Sequence, residues 1–132
     1  MQGTRILLVD DEPACLQATK MLLDVHGYSA DMAADAADAF MLLAAAQANQ
    51  RSYDILITDF EMLDTNGIDL FLLLRNTQPD IEGILLTGAL TDERRADALQ
   101  RGMIAAFEKG CDFDTLLLLI ECLSQCGEGD AT

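Results

Sequence analysis

Short apolar blocks alternate along this chain with segments of helical length, five times over. Residues 6–9 form an unbroken apolar run that ends on Asp10-Asp11, and residues 55–57 form another that leads through Thr58 to Asp59. Residues 84–86 end on Thr87-Gly88, and residues 104–108 end on Lys109. Residues 28–33 read as a weaker, half-exposed strand. Between these blocks apolar positions recur at helical spacing. Asp11 is the expected cap of a first helix that tolerates Pro13 in its opening turn, runs to about Val25 and stops at Gly27. Asp35 opens an alanine-rich second helix to about Ala48. Asn66, with Asp69 three residues on, opens a third. Thr91, followed by Asp92 and Glu93, opens a fourth that stops at Gly102. Asp112 or Asp114 caps the fifth, which is expected to run to about Cys126.

Strands that are apolar throughout, separated by helix-length segments, predict an α/β fold: a doubly wound five-stranded parallel sheet with helices on both faces. At 132 residues there is room for one domain with a proper core. Residues 1–126 are assigned to that domain and residues 127–132 to a polar C-terminal tail. Apolar runs such as residues 70–74 and 116–120 fall far short of the roughly 20 residues that cross a bilayer, and the N-terminus lacks a signal-peptide pattern. A cytoplasmic protein with no membrane contact is therefore expected.

Charge narrows the function classes. A formal net charge of −15 argues against direct nucleic-acid binding, which needs clustered Lys and Arg. Arg94, Arg95 and Arg101 do cluster, but with acids among them, and read as an exposed helix face. Cys122 and Cys126 lie one helical turn apart and could hold a metal, but no histidine accompanies them and no Cys-x-x-Cys occurs, so Cys15, Cys111, Cys122 and Cys126 read as buried or partly buried free thiols. The lone His26 falls where the first helix ends and reads as a helix-terminal cation.

The chemistry is concentrated at strand ends. Ligands of open parallel sheets bind beyond the carboxyl ends of the strands, and the residues there are Asp10, Asp11, Asp59, Thr87 and Lys109. Carboxylates a few Å apart repel by about 4 kcal/mol per pair at an effective dielectric near 20, so they call for a cation. An all-oxygen ligand set suits Mg²⁺, with Mn²⁺ the alternative. Lys109, one of two lysines in the chain, offers the single ammonium that a transferring phosphoryl group requires. Thr87 offers a hydroxyl, and Gly88-Ala89 leave room for a ligand beside the backbone. No Ser/His/Asp or Cys/His set is present, which leaves a carboxylate as the natural nucleophile and an acyl phosphate on aspartate as its product.

These pieces resemble the receiver domains of two-component response regulators. The matching residues are Ile6-Leu7-Leu8-Val9-Asp10-Asp11-Glu12, Ile57-Thr58-Asp59-Phe60-Glu61-Met62, Asn66-Gly67, Leu85-Leu86-Thr87-Gly88 and Phe107-Glu108-Lys109. The resemblance implies the flavodoxin-like sheet order 2-1-3-4-5. It also implies Asp59 as phosphoacceptor in a phosphorelay. Asp11 and Asp59 would bind Mg²⁺ directly, Asp10 through water, and Glu61 through its backbone carbonyl. Thr87 and Lys109 would contact the phosphoryl group. The donor would be a phosphohistidine on a sensor histidine kinase or phosphotransfer protein, and the domain would catalyse only its own phosphorylation and slow dephosphorylation, not act as an enzyme on other substrates.

Three positions depart from the family pattern. Gly110 follows Lys109 where proline is usual, Leu63 replaces a loop proline, and Ala106 stands where a switching aromatic is common, with Phe107 expected to face the other side of the strand. These departures keep a second reading open, a degenerate receiver used for docking or dimerisation. An aspartate-nucleophile Mg²⁺ phosphatase is a third, although its Asp-x-Asp motif and cap insert are missing. On the last helix, Leu116, Leu119, Ile120 and Leu123 share a face while Leu118 points away. That marks the helix 4–strand 5–helix 5 side as a candidate homodimer surface.

Overall fold

The computed structural model describes residues 3–110 and 113–130, with side chains described to Gln125. Among these residues, five strands alternate with five helices: β1 (Arg5–Val9), α1 (Pro13–Val25), β2 (Ser29–Ala33), α2 (Ala36–Ala48), β3 (Ile55–Thr58), α3 (Gly67–Thr77), β4 (Glu82–Thr87), α4 (Asp92–Gln100), β5 (Ala105–Glu108) and α5 (Phe113–Asp130). All strand pairs are parallel, in the order β2-β1-β3-β4-β5. The sheet order and architecture are those expected from the sequence.

Side-chain alternation along each strand divides the core into two layers. On one face Leu7, Val9, Leu56, Leu85 and Ala106 pack against Leu43 of α2, Leu70, Phe71 and Leu74 of α3, and Ala98 of α4. On the other, Ile6, Leu8, Ile55, Ile57, Ile84 and Phe107 pack against Leu16 and Leu23 of α1 and Leu116 and Ile120 of α5. Ala106 and Phe107 thus face opposite layers, and β2 is the half-exposed edge strand.

Helix starts follow capping chemistry, with one exception. Asp35, Asn66 and Thr91 accept hydrogen bonds from the backbone N–H groups of Asp38, Asp69 and Arg94. Asp11, expected to cap α1, does not. Glu12 occupies the N-cap without a side-chain cap bond, Pro13 opens the helix, and Asp10 Oδ1 accepts from the Glu12 N–H at 3.0 Å. Proline at the first helical position has no N–H to be capped, which lowers the demand for a side-chain acceptor. His26 does lie at the end of α1, its Nδ1 2.8 Å from the Leu22 carbonyl oxygen.

At the other end, α5 continues four residues past the expected Cys126, through Gly127 to Asp130. No proline interrupts it, and each glycine weakens a helix by only about 1 kcal/mol. Cys15 is a partly buried free thiol, but Cys122 is exposed, because it lies on the outer face of α5. Cys111 and Asp112 lie outside the described residues, as does the side chain of Cys126. No helix among the described residues is long and apolar enough to cross a membrane.

Gly83 shows how tightly one core layer is filled. A Cβ there would stand 2.5 Å from the buried Phe71 ring, which has no room to retreat. Gly83→Val is expected to destabilise the fold by about 1–3 kcal/mol, read as a lower urea midpoint with an unchanged slope.

Candidate functional site

The backbone ladder extends one rung past the strands and so places the site. The N–H of Asp10 donates to Ala33 O (3.1 Å), that of Asp59 to Val9 O (3.0 Å) and that of Lys109 to Thr87 O (2.9 Å). Each residue is therefore held in sheet register although its side chain lies at the rim. Thr87 ends β4 and is 2% exposed.

Carboxylate oxygens of Asp10, Asp11 and Asp59 lie within 4.8 Å of one another. Lys109 Nζ lies 2.6 Å from Asp10 Oδ2, 3.6 Å from Asp59 Oδ2 and 3.9 Å from Glu12 Oε1. All five residues picked out at the strand ends are thus brought together. Glu61 lies two residues past Asp59, with its side chain exposed, in an isolated antiparallel bridge with Asn66.

Burial pushes the Asp59 carboxyl above its ordinary range. Lys109 and a hydrogen bond from Thr87 oppose that rise and Asp10 adds to it, leaving a net upward shift. Burial also disfavours the Lys109 ammonium, but the hydrogen bond and charge of Asp10, helped by Asp59, outweigh it and raise this lysine overall. Lys109 therefore stays protonated and acts as a built-in partial counter-ion. One ammonium against three carboxylates leaves the cluster negative. The donor set is all oxygen, with neither histidine nor thiol in it, which fits a hard divalent cation such as Mg²⁺.

Three features that serve this rim were not read from the sequence in these roles. A Cβ on Gly67 would stand 2.1 Å from the Asp59 carbonyl oxygen, so the start of α3 can pass beneath Asp59 only as glycine. Glu12 links Lys109 to α1 and accepts from the Cys15 thiol at 2.9 Å. The arginines read as an exposed helix face are only partly that. Arg101 does pair with Asp97 on α4 at 3.3 Å. Arg94, however, stacks on the Phe60 ring at 3.9 Å, and Arg95 donates to Ala106 O at 2.7 Å. Nothing in the spacing signals these contacts, because their partners lie on other elements.

A doubly wound parallel α/β domain with its acids and one lysine gathered at the carboxyl ends of the strands carries them where ligands of this fold class bind. The family model for the response regulator receiver domain matches residues 6–121. The chain belongs to the response regulator receiver family of two-component systems. It is 32% identical over 114 residues to the alginate biosynthesis transcriptional regulatory protein AlgB of Pseudomonas aeruginosa, covering 86% of this chain and 24% of that protein. It is 30% identical over 116 residues to the transcriptional regulatory protein GlrR of Escherichia coli, covering 88% and 25%. The chain thus spans about a quarter of the length of these curated relatives.

Solved structures give the same picture. A response regulator receiver domain protein from Clostridium thermocellum is similar with a TM-score of 0.82 at 25% identity, covering 95% of this chain and 97% of that one. TrrA from Thermotoga maritima, in complex with Mg²⁺–BeF, is similar with a TM-score of 0.74 at 29% identity, covering 91% and 98%.

Because the Asp59 pKa is raised on folding, the folded chain binds the extra proton over the interval above the ordinary carboxylate value of 3.8. Stability is then lost as pH rises through the folded pKa. Without metal, Asp59→Asn is expected to melt higher than the parent at pH 7.5. That advantage should shrink as the pH falls towards the ordinary carboxylate value, where both states of the parent are protonated. Thermal melts of both proteins across that range, in chelator, check the sign. Mg²⁺ at tenfold its Kd should stabilise the parent by about 1.4 kcal/mol, and Asp11→Asn should reduce that shift.

Proposed function

We propose that this domain is a Mg²⁺-dependent phosphoacceptor switch, in which Asp59 takes a phosphoryl group from a phosphohistidine and returns it slowly to water. The observation that carries this reading is the set of three carboxylates within 4.8 Å of one another with the Lys109 ammonium 3.6 Å from Asp59. The kinship with receiver domains, one of them solved with Mg²⁺ and a beryllium fluoride, supports it.

A carboxylate oxygen of Asp59 attacks phosphorus, the P–O bond forms as the P–N bond to the donor imidazole breaks, and that imidazole takes a proton as it leaves. Asp10, Asp11, Asp59 and the backbone carbonyl of Glu61 would hold Mg²⁺, or Mn²⁺ in its place. The cation would supply charge neutralisation between the acidic rim and the incoming phosphoryl oxygens. Lys109 exchanges part of its contact with Asp10 for a phosphoryl oxygen, and the Thr87 hydroxyl donates to another. Hydrolysis breaks the acyl phosphate, releases inorganic phosphate and restores the carboxylate. The domain turns over only its own phosphoryl group and is not an enzyme towards other substrates.

The donor is a sensor histidine kinase or phosphotransfer protein. Leu99, Ile104 and Leu118 stay exposed on the α4–β5–α5 side, Leu118 at 62%, which makes that face the candidate homodimer surface. A cytoplasmic location and the absence of direct nucleic-acid contact by this domain complete the reading.

Incubation with acetyl phosphate and Mg²⁺, followed by intact mass, should add one phosphoryl group to the parent and none to Asp59→Asn or to a sample in chelator. An unmodified parent that still folds and binds Mg²⁺ would favour the docking reading. Phosphate-ester turnover beyond one equivalent would favour a phosphatase.

A further inference from the structure

Arg94 sits where helix physics does not want it. It stands in the first turn of α4, with its N–H donating to the Thr91 cap at 3.0 Å, so its charge meets the positive end of the helix dipole. The guanidinium turns away from the helix instead. Its Nη1 donates to Ala89 O at 2.8 Å, and its Cζ lies 3.9 Å from the centre of the Phe60 ring.

Both partners lead back to one carboxylate. The Phe60 N–H donates to Asp59 Oδ1 at 2.8 Å. The Ala89 N–H reaches Thr87 Oγ1 at 3.5 Å, and the Thr87 side chain acts on the Asp59 carboxylate, whose pKa it lowers. Arg94 therefore closes a ring of contacts that starts and ends at Asp59 and passes through the first turn of α4. One residue further on, Arg95 ties α4 to the Ala106 carbonyl of β5, at the position that carries no aromatic.

We propose that Arg94 is a positioning residue that couples the state of Asp59 to α4, through its stack on Phe60 and its bond to Ala89. The inference rests on Asp59 being the phosphoacceptor. Acylation of the carboxylate weakens it as an acceptor for the Phe60 N–H, and the new phosphoryl oxygens compete for the Thr87 hydroxyl. Both arms of the ring change in one step. The loose 3.5 Å bond through Ala89 is the arm that yields first. Ala89, released from Thr87, is then free to shift, and Arg94, bonded to its carbonyl, is drawn off the ring with it as the start of α4 moves.

Side-chain NMR of the full chain reads this directly. In Mg²⁺ alone, the Arg94 δ and ε protons should be shifted upfield by the Phe60 ring. Adding beryllofluoride should return them towards unperturbed values and shift the backbone amides of residues 92–96. In Arg94→Ala, and independently in Phe60→Leu, those amide changes should be at least about twofold smaller, while ¹⁹F signals still show beryllofluoride bound. Arg94→Lys, which keeps a cation for the ring, should restore part of the response.

Bound beryllofluoride with an unchanged Arg94 signal, or with α4 amide changes of full size in Arg94→Ala, overturns the coupling and leaves the acceptor reading intact. Absence of bound ¹⁹F in the parent overturns both. Two variants at different positions guard against one that fails to fold.

Discussion

Carboxylates that end neighbouring parallel strands cannot avoid one another. The ladder pins the backbones of Asp10 and Asp59 to adjacent strands, and Asp11 follows directly, so three acids converge whether or not their charges agree. This enforced repulsion organises the rest of the rim. Lys109, fixed to Thr87 by its own backbone bond, carries the one ammonium in the cluster and is held protonated by Asp10. The charge still left over is what a divalent cation would neutralise, and the partly buried Asp59 carboxyl keeps a raised pKa. Charges forced together in this way make the stability of the rim respond to what binds it.

The two core layers carry that repulsion. Each central strand gives apolar residues to both faces, so the sheet is clamped between α2–α3–α4 and α1–α5, and the rim cannot relax by spreading. Close passages sharpen the constraint. Gly67 lets α3 start against the Asp59 carbonyl oxygen, and Gly83 lets Phe71 lie against β4. Around the rim the loops are more open, with Gly88 and Gly110 unobstructed and Leu63 95% exposed. Rigid strand ends beneath adaptable loops are the arrangement through which a local charge change can become a conformational one. Ala106 is buried and too small to swing, while Arg94 stacks on Phe60 beside Asp59 and Arg95 bonds the Ala106 carbonyl of β5.

Much of this was legible in the residues. Unbroken apolar runs such as residues 6–9 and 55–57 fixed parallel, two-sided strands, because only a strand buried on both faces tolerates apolar side chains in both directions. Caps at Asp35, Asn66 and Thr91 were legible since each bond is made within three residues of chain. The acidic rim was legible because strand ends of one sheet share an edge. Asp11 misled, since a cap and a rim carboxylate look alike in sequence, and the choice fell to how Asp10 and Pro13 set the first turn of α1.

The sequence by itself therefore determined which residues end the strands, and with them the donors and charges of the site. Only the tertiary structure decided how those charges are shared: that Lys109 lies nearer Asp10 than Asp59, and that Glu12 joins them. It alone decided that Arg94, an ordinary surface arginine in the pattern, reaches across to Phe60. Periodicity and capping are local, so the chain encodes them in neighbouring residues. Ion pairs and ring stacks depend on distances between elements far apart in sequence, and those distances are set when the two core layers close on the sheet.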